Sequence, residues 1–228
     1  MIIERHSLIS GARKAHGSVV IIDVFRAFTT AAYVMANGAE RIISVGSLPE
    51  AFALKRSNPN WVLMGERDGK RVDGFDFGNS PFEIKEIDFS RKTVIQTTSA
   101  GTQGIANAKA AVEILPGSFV LAGAIIKHIQ KTQPEAVSLV AMGSAGVEPS
   151  EEDELCAIYI EEALKGRTSD FDEMKLRIRR APSGSKFFDP SQPHFHEEDF
   201  QMALDLDRFD FILKVMKTDR IYVIREKP

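Results

Sequence analysis

The chain has a single cysteine, Cys156, among its 228 residues. That scarcity excludes an internal disulfide framework and any zinc site built from several thiolates, and it fits a reducing compartment. Any metal is therefore expected to rest on oxygen donors. Surplus positive charge is missing too: 29 Lys and Arg stand against 32 Asp and Glu, a formal net charge of -3, so the basic excess expected of a nucleic-acid binder is absent. Neither a signal-peptide pattern nor an apolar run of membrane-spanning length occurs. The expectation is a soluble, cytoplasmic protein with no nucleic-acid or membrane partner. What is present is a 43% apolar content over a length that suits one large α/β domain or two small ones, enough to bury a sizeable core.

Short β-branched runs alternate with amphipathic helical patterns. SVVIIDV at 18–24, ERIISV at 40–45, WVLM at 61–64, KTVIQT at 92–97, AVEILP at 111–116 and AVSLVAM at 136–142 read as buried strands. Apolar spacing predicts helices over 27–36, 48–55, 102–109, 119–129 and 151–165, several of them ending near a glycine breaker. This alternation implies βαβ units, hence an α/β class with a three-layer α/β/α arrangement and a mainly parallel sheet, a mixed sheet being compatible. Beyond Gly166 the pattern weakens to a charged, helix-like segment at 171–180, the loop APSGSKFFDPSQP at 181–193, and a strand in DRIYVIRE. The basic stretch KLRIRRAPSGSK reads either as a flap or as a solvated face. Residues 1–228 form one domain, or one built from two similar halves flanking a cleft: VIQTTSAGTQG and LVAMGSAGVEP are faintly alike, each a strand running into a Ser-Ala-Gly turn and a helix.

The densest chemistry lies at 65–81, GERDGKRVDGFDFGNSP, which crowds four acids, three bases and four glycines into a segment read as neither helix nor strand. Its glycines allow tight reversals, its acids (Glu66 and Asp76 among them) offer hard oxygen ligands, and Arg67 can meet an anion. A long loop of this kind inside a compact domain is usually functional or disordered, and its phenylalanines argue for order. The alternative is a charged surface turn. Ligands of open α/β sheets bind outside the carboxyl ends of the strands, where helix N-termini present free N–H groups. Asp23 with Arg26, the 65–81 loop, the turn at 97–102 and the turn at 143–153 all converge on such an edge.

Each element also has a plainer explanation. Asp23 ends a buried strand, where it can serve as a site acid or cap the next helix. TTSAGT at 97–102 has the hydroxyls and glycine of a phosphate cradle, and also of an ordinary cap; with no lysine it is not a Walker loop. Glu152 and Asp153 open a helix whose dipole such acids complement regardless of function. Cys156 reads as a core thiol, and the HxH pair His194 and His196 as part of a surface loop.

Taken together, IDVFRAFTTAAYVMANGAERI, GERDGKRVDGFDFGNSP, KTVIQTTSAGTQGI and SEEDELCAIYIEEAL resemble the 2-phosphosulfolactate phosphatase (ComB-type) family in identity, order and spacing over about residues 15–165. The resemblance implies a Mg²⁺-dependent phosphoric monoester hydrolase that converts 2-phospho-3-sulfolactate to 3-sulfolactate and phosphate in coenzyme M biosynthesis. Assembly as a homodimer is left open. On that footing Asp23, Asp76 and Glu152 or Asp153 are expected to hold the metal and Asp23, Arg26, Glu66 and Arg67 to carry catalysis, with direct attack by water and a phospho-aspartyl intermediate on Asp23 both left open. Asn79, Ser80, Thr97, Thr98, Ser99, Gly101 and Thr102 would bind substrate and its phosphate. Two segments depart from the family pattern. Ser99 and Ala100 stand where TTTNGT is usual, and Leu121 stands where an Asn commonly follows GSF, so another small phosphorylated metabolite, or non-catalytic anion binding, stays compatible.

Overall fold

The computed structural model describes residues 1–228. It begins with β1 (Ile2–Ser7), α1 (Leu8–Ala12), β2 (His16–Ile22), α2 (Ala27–Ala36), β3 (Arg41–Ser44) and α3 (Leu48–Ser57). The middle of the chain supplies β4 (Val62–Arg67), β5 (Lys70–Arg71), α4 (Pro81–Ile84), β6 (Thr93–Thr97), α5 (Gly101–Asn107), β7 (Ala110–Gly117), α6 (Ala122–Thr132) and β8 (Ala136–Ala141). It finishes with α7 (Glu151–Leu164), α8 (Phe171–Arg180), α9 (Pro182–Ser185), α10 (Glu197–Ala203), β9 (Ile212–Lys217) and β10 (Ile221–Glu226).

The strands divide between two sheets. A four-stranded sheet, in the order β1-β8-β2-β7, is parallel throughout. A six-stranded sheet, in the order β5-β4-β6-β3-β10-β9, is parallel at its centre, with β5 and the β9/β10 hairpin added antiparallel. The α/β class read from the alternation is the observed one. Parallel strands need cover on both faces, and β2 has it: Val19, Val20, Ile21 and Ile22 are all fully buried, whichever way they point. Helices α1 and α5 pack on each other and on this sheet, as do α6 and α7. Helix α2 is buried at every residue from 27 to 35, which its apolar, uncharged sequence permits. A smaller apolar cluster of Ile43, Val45, Ala51, Leu54, Leu63, Phe75 and Ile95 holds α3 on the second sheet.

The sequence differs from the structure in the places where long-range pairing decides. Gly65 to Arg67 continue β4, and with Lys70–Arg71 they make a β-hairpin, so the first part of the 65–81 segment is strand rather than irregular loop. Residues 181–193 contain two short helical turns, Pro182–Ser185 and Lys186–Phe188. Strands β1 and β9 and helix α10 had no clear periodic signal; β1 and β9 form because β8 and β10 offer them hydrogen-bonding edges. No helix is long and apolar enough to cross a membrane.

Candidate active site

A cavity of about 650 Å³ opens where the carboxyl ends of both sheets meet. From the first sheet come Asp23, just after β2, and the turn Gly143 to Ser150 after β8; from the second come Glu66 at the end of β4, Asp68 and Gly69 in the hairpin, and Ser99 and Ala100 after β6. Further wall comes from between Ala181 and Phe195, including Ser183, Lys186 and Phe195; its first part, to Lys186, is the end of the KLRIRRAPSGSK stretch read as flap or solvated face.

Asp23 is 5% exposed, and Ala27 N–H donates to its Oδ1 at 3.0 Å. Burial pushes its pKa from 3.8 to about 7, with the charges of Glu66 and Glu152 adding to the rise and the N–H groups of Ala27 and Gly101 opposing it. Helix α5 begins directly against this carboxylate. A Cβ on Gly101 would stand 2.8 Å from Asp23 Oδ2 and 3.0 Å from Ala27 Cβ, so a residue without a side chain is required there.

The TTSAGT turn faces carboxylates. Ser99 N–H donates to Glu66 Oε1 at 2.7 Å and its hydroxyl to Oε2 at 3.2 Å, while Gly69 N–H meets Oε2 at 2.8 Å. Glu66 thus ties the β4–β5 hairpin to the start of α5. Thr98 and Thr102 are spent on each other: each backbone N–H donates to the other's hydroxyl, at 3.1 and 3.2 Å. Thr97 is fully buried and accepts from Arg67 Nη2 at 2.9 Å. Of this turn, Ser99 and Ala100 line the cavity.

Glu152 and Asp153 diverge although they are neighbours. Asp153 is 2% exposed and uses both oxygens on backbone, accepting from Val24 N–H and Gly143 N–H at 2.8 Å each, so it fastens the chain after β2 to the chain after β8. Its pKa is raised well above the usual carboxylate range by burial and by the charges of Glu152 and Asp23. Glu152 lines the cavity, and Ser183 donates its hydroxyl to Oε2. Burial raises its pKa as well, against the opposing pull of Ser183 and Lys186.

The bases are used unequally. Arg26 lines the cavity, but Nη1 donates to Asp199 Oδ2 at 2.8 Å and to His194 O at 3.0 Å, and Nη2 to Gly69 O at 2.7 Å. Three of its five N–H donors are therefore committed to protein. Arg67 lies outside the cavity, held by Thr97 and by its own Glu66 carbonyl at 2.6 Å. Asp76 is not brought to the site: its carboxylate is 40% exposed, pairs with Lys55 Nζ at 2.8 Å and accepts from Leu63 N–H at 2.8 Å. Asn79 lines the cavity at 5% exposure, and its Oδ1 has no hydrogen-bond partner. Ser80 caps α4 and donates to Asp199 Oδ1 at 2.7 Å. Cys156 is a buried thiol whose pKa burial pushes up.

Three participants escaped the sequence. Asp199 sits in the first turn of α10, where an acid is common whatever its function. Lys186 ends the basic stretch noted only for its charge, and Phe195 stands between the two histidines read as part of a surface loop. Nothing local distinguishes them: Asp199 and Phe195 become significant through Arg26, Ser80 and Gly69, more than a hundred residues away, and Lys186 through the cavity that the fold closes around it.

The family model described as 2-phosphosulpholactate phosphatase matches residues 4–218, a span that holds every cavity residue named above. The chain belongs to this family. By that description it is a family of phosphoric monoester hydrolases. A protein of Bacillus subtilis (strain 168) named probable 2-phosphosulfolactate phosphatase is 33% identical over 208 residues, 90% of each chain. One of the same name from Caldanaerobacter subterraneus subsp. tengcongensis is 30% identical over 87% of each. Another, from Carboxydothermus hydrogenoformans, is 41% identical over 120 residues, covering 53% of this chain and 50% of its own.

The two departures from the family pattern fall in different places. Ala100 lines the cavity, so a missing amide there bears on what the site can grip. Leu121 is fully buried in the apolar core and is not part of the cavity wall. A cation suits the donors present. The wall carries six acids, Asp23, Glu66, Asp68, Glu148, Glu151 and Glu152, against only Arg26 and Lys186, and an anionic substrate entering it needs further positive charge. No three His, Cys, Asp or Glu side chains are drawn together at metal-binding spacing. A hard divalent ion such as Mg²⁺ keeps several waters and needs only one or two carboxylates, so the acids of the wall are donors of suitable chemistry although they form no ready-made cluster. Asn79 Oδ1 is a further unused acceptor at the wall.

Proposed function

We propose that the protein is a Mg²⁺-dependent phosphatase that hydrolyses 2-phospho-3-sulfolactate to 3-sulfolactate and phosphate, acting in the cytoplasm in the coenzyme M biosynthetic route. The observation that carries this is Asp23: a carboxylate at the wall of a cavity between two sheets, buried enough that its ionisation is displaced to about 7. Such displacement is common where chemistry is done. The names and coverage of the relatives support the substrate class.

Asp23 and Glu152 are the carboxylates we assign to Mg²⁺: Asp23 Oδ1 takes the Ala27 N–H, with the Gly101 N–H close by, and Glu152 Oε2 takes the Ser183 hydroxyl, whereas Glu66 and Asp153 are tied on both oxygens to fixed partners across the site. Bound there, the ion would neutralise phosphoryl oxygens and favour ionisation of the acids around it. Arg26 keeps two N–H donors beyond those spent on Asp199, His194 and Gly69 and offers them to an anionic group of the substrate. Glu66 and Asp153 fix the geometry: Glu66 locks the hairpin to the Ser99 turn and Asp153 locks the two loops of the first sheet. Asn79 orients a water or hydroxyl through its free carbonyl oxygen. Rate enhancement then comes from positioning and charge stabilisation, the usual sources in phosphoryl transfer.

Ala100 favours a second substrate class. With a methyl group where the family pattern has an amide, the same machinery would accept another small phosphorylated acid. Phosphate release from 2-phospho-3-sulfolactate, phospholactate, 3-phosphoglycerate and p-nitrophenyl phosphate, with Mg²⁺ and with EDTA, separates the two. We expect preference for the sulfonate substrate, lost in EDTA; preference for another acid moves the substrate, and no release from any of them overturns the activity.

A further inference from the structure

Lys186 is the cation of the cavity that no protein acceptor holds. Arg26, the other base on the wall, is fixed by Asp199 and two carbonyls. Lys186 Nζ makes no hydrogen bond and no ion pair within 4 Å; it lies over aromatic faces, with the Phe195 ring centroid at 4.5 Å and that of Phe187 at 5.6 Å. Burial lowers its pKa, while Glu152, Asp23 and Asp153 pull the other way from beyond contact distance. An ammonium group taken from water, with ring faces and carboxylates beyond hydrogen-bond reach and the Arg26 charge acting against it, keeps unused donors. Its stem is fixed because it starts the helical turn Lys186–Phe188, whose Phe187 is buried against Phe25, Phe195 and Phe200.

We propose that Lys186 Nζ contacts a phosphoryl oxygen of the substrate beside Asp23 and Glu152. This rests on the phosphatase reading of the same cavity. The chemistry favours it on two counts. A lysine ammonium is a compact point charge with three rotatable donors, suited to phosphate oxygens whose positions shift as the ester breaks. Its place among carboxylates puts it where the transferring group must lie if those acids hold a cation. The segment that carries it also closes on the rest of the site, for Ser183 bonds Glu152, His194 O receives Arg26, and Phe195 lies against Gly69.

The test uses the full chain with Lys186→Met and Lys186→Arg, and orthophosphate as the probe. Orthophosphate affinity is measured by calorimetry with and without Mg²⁺, alongside kcat and KM on 2-phospho-3-sulfolactate and p-nitrophenyl phosphate. Losing one charge-assisted hydrogen bond should weaken orthophosphate binding by about tenfold to a hundredfold in K186M. The same loss should appear in kcat/KM for both esters, with K186R restoring part of each. Wild-type affinity in K186M overturns the proposal, as does a loss confined to 2-phospho-3-sulfolactate, which would place Lys186 on the carboxylate or sulfonate. If K186M does not fold, K186R and K186Q are compared instead, with Gln expected to lose affinity and Arg to keep part of it. Wild-type protein that binds orthophosphate through Lys186 and releases none from any ester retains this contact and refutes the phosphatase activity. Wild-type release that K186M matches does the reverse.

Discussion

Arg26 and Asp199 form an ion pair at 2.8 Å with 3% and 0% of their side chains exposed, although 173 residues separate them. The same carboxylate accepts from the Ser80 hydroxyl at 2.7 Å and Phe82 N–H at 3.0 Å, so Asp199 joins the start of α2, the cap of α4 and the segment that walls the cavity. A buried pair with its remaining valences filled is costly to break on one side. Replacing Asp199 with Ala should destabilise the fold by about 3–5 kcal/mol, because it leaves a buried guanidinium without its counter-charge. Asp199→Asn should cost less by keeping acceptor capacity. Urea unfolding of the two variants checks the order, and equal stability to wild type would count against the bridge.

The metal assignment predicts a contrast between acids. Asp23→Asn and Glu152→Gln should each remove most of the rise in melting temperature on adding Mg²⁺ and lower kcat by about a hundredfold or more, the scale of a lost catalytic group. Asp76→Asn should leave both intact and lose about 1 kcal/mol of stability through the Lys55 and Leu63 contacts. A Mg²⁺ response that vanishes in D76N and survives in D23N would reverse the assignment.

At Gly101 the measure is steric. The new methyl of Gly101→Ala would meet Asp23 Oδ2 at 2.8 Å, Ala27 Cβ at 3.0 Å and Phe28 Cζ at 3.0 Å. Overpacking of that kind costs about 1–3 kcal/mol, and here it also displaces a site carboxylate. Turnover is expected to fall further than stability alone explains, read as a drop in kcat at a temperature where the variant is fully folded.

Away from the cavity, Glu113 accepts from Ser18 at 2.8 Å, lies 3.2 Å from His128 Nε2, and faces Lys214 at 3.6 Å. Burial alone would raise its pKa, but the Ser18 and His128 bonds and the nearby positive charges outweigh it, so the net shift is downward from 4.5. A carboxylate with a depressed folded-state pKa contributes stability above the unfolded value and loses it as pH falls through the folded one. Glu113→Gln should therefore be less stable than wild type near neutrality, with the gap narrowing below about pH 4.5. Unfolding curves across pH 3 to 7 measure this, and a constant gap would exclude the charge as the cause.

Much of the scaffold was legible because it is local. Helix 27–36 follows from uninterrupted apolar spacing, and β2, β6 and β8 from β-branched runs with turn residues after them. Those strand ends also located Asp23, Ser99 and the 143–153 turn at the cavity. Roles were harder. Thr98 and Thr102 have the composition of a phosphate cradle, yet their hydroxyls cap each other, and Ser99 serves Glu66. Composition names available donors; only the fold says where they point.

The amino-acid sequence by itself determined the α/β class, where most strands lie along the chain and several of the residues that emerge at their carboxyl ends, because hydrophobic period and turn chemistry act over a few neighbours. Tertiary structure alone decided that the strands split into two sheets, that Asp76 turns toward Lys55 while Glu66 turns to Ser99, and that Lys186 and Asp199 come to the site. Side-chain direction and long-range pairing depend on how segments far apart in the chain pack, and no local pattern encodes that.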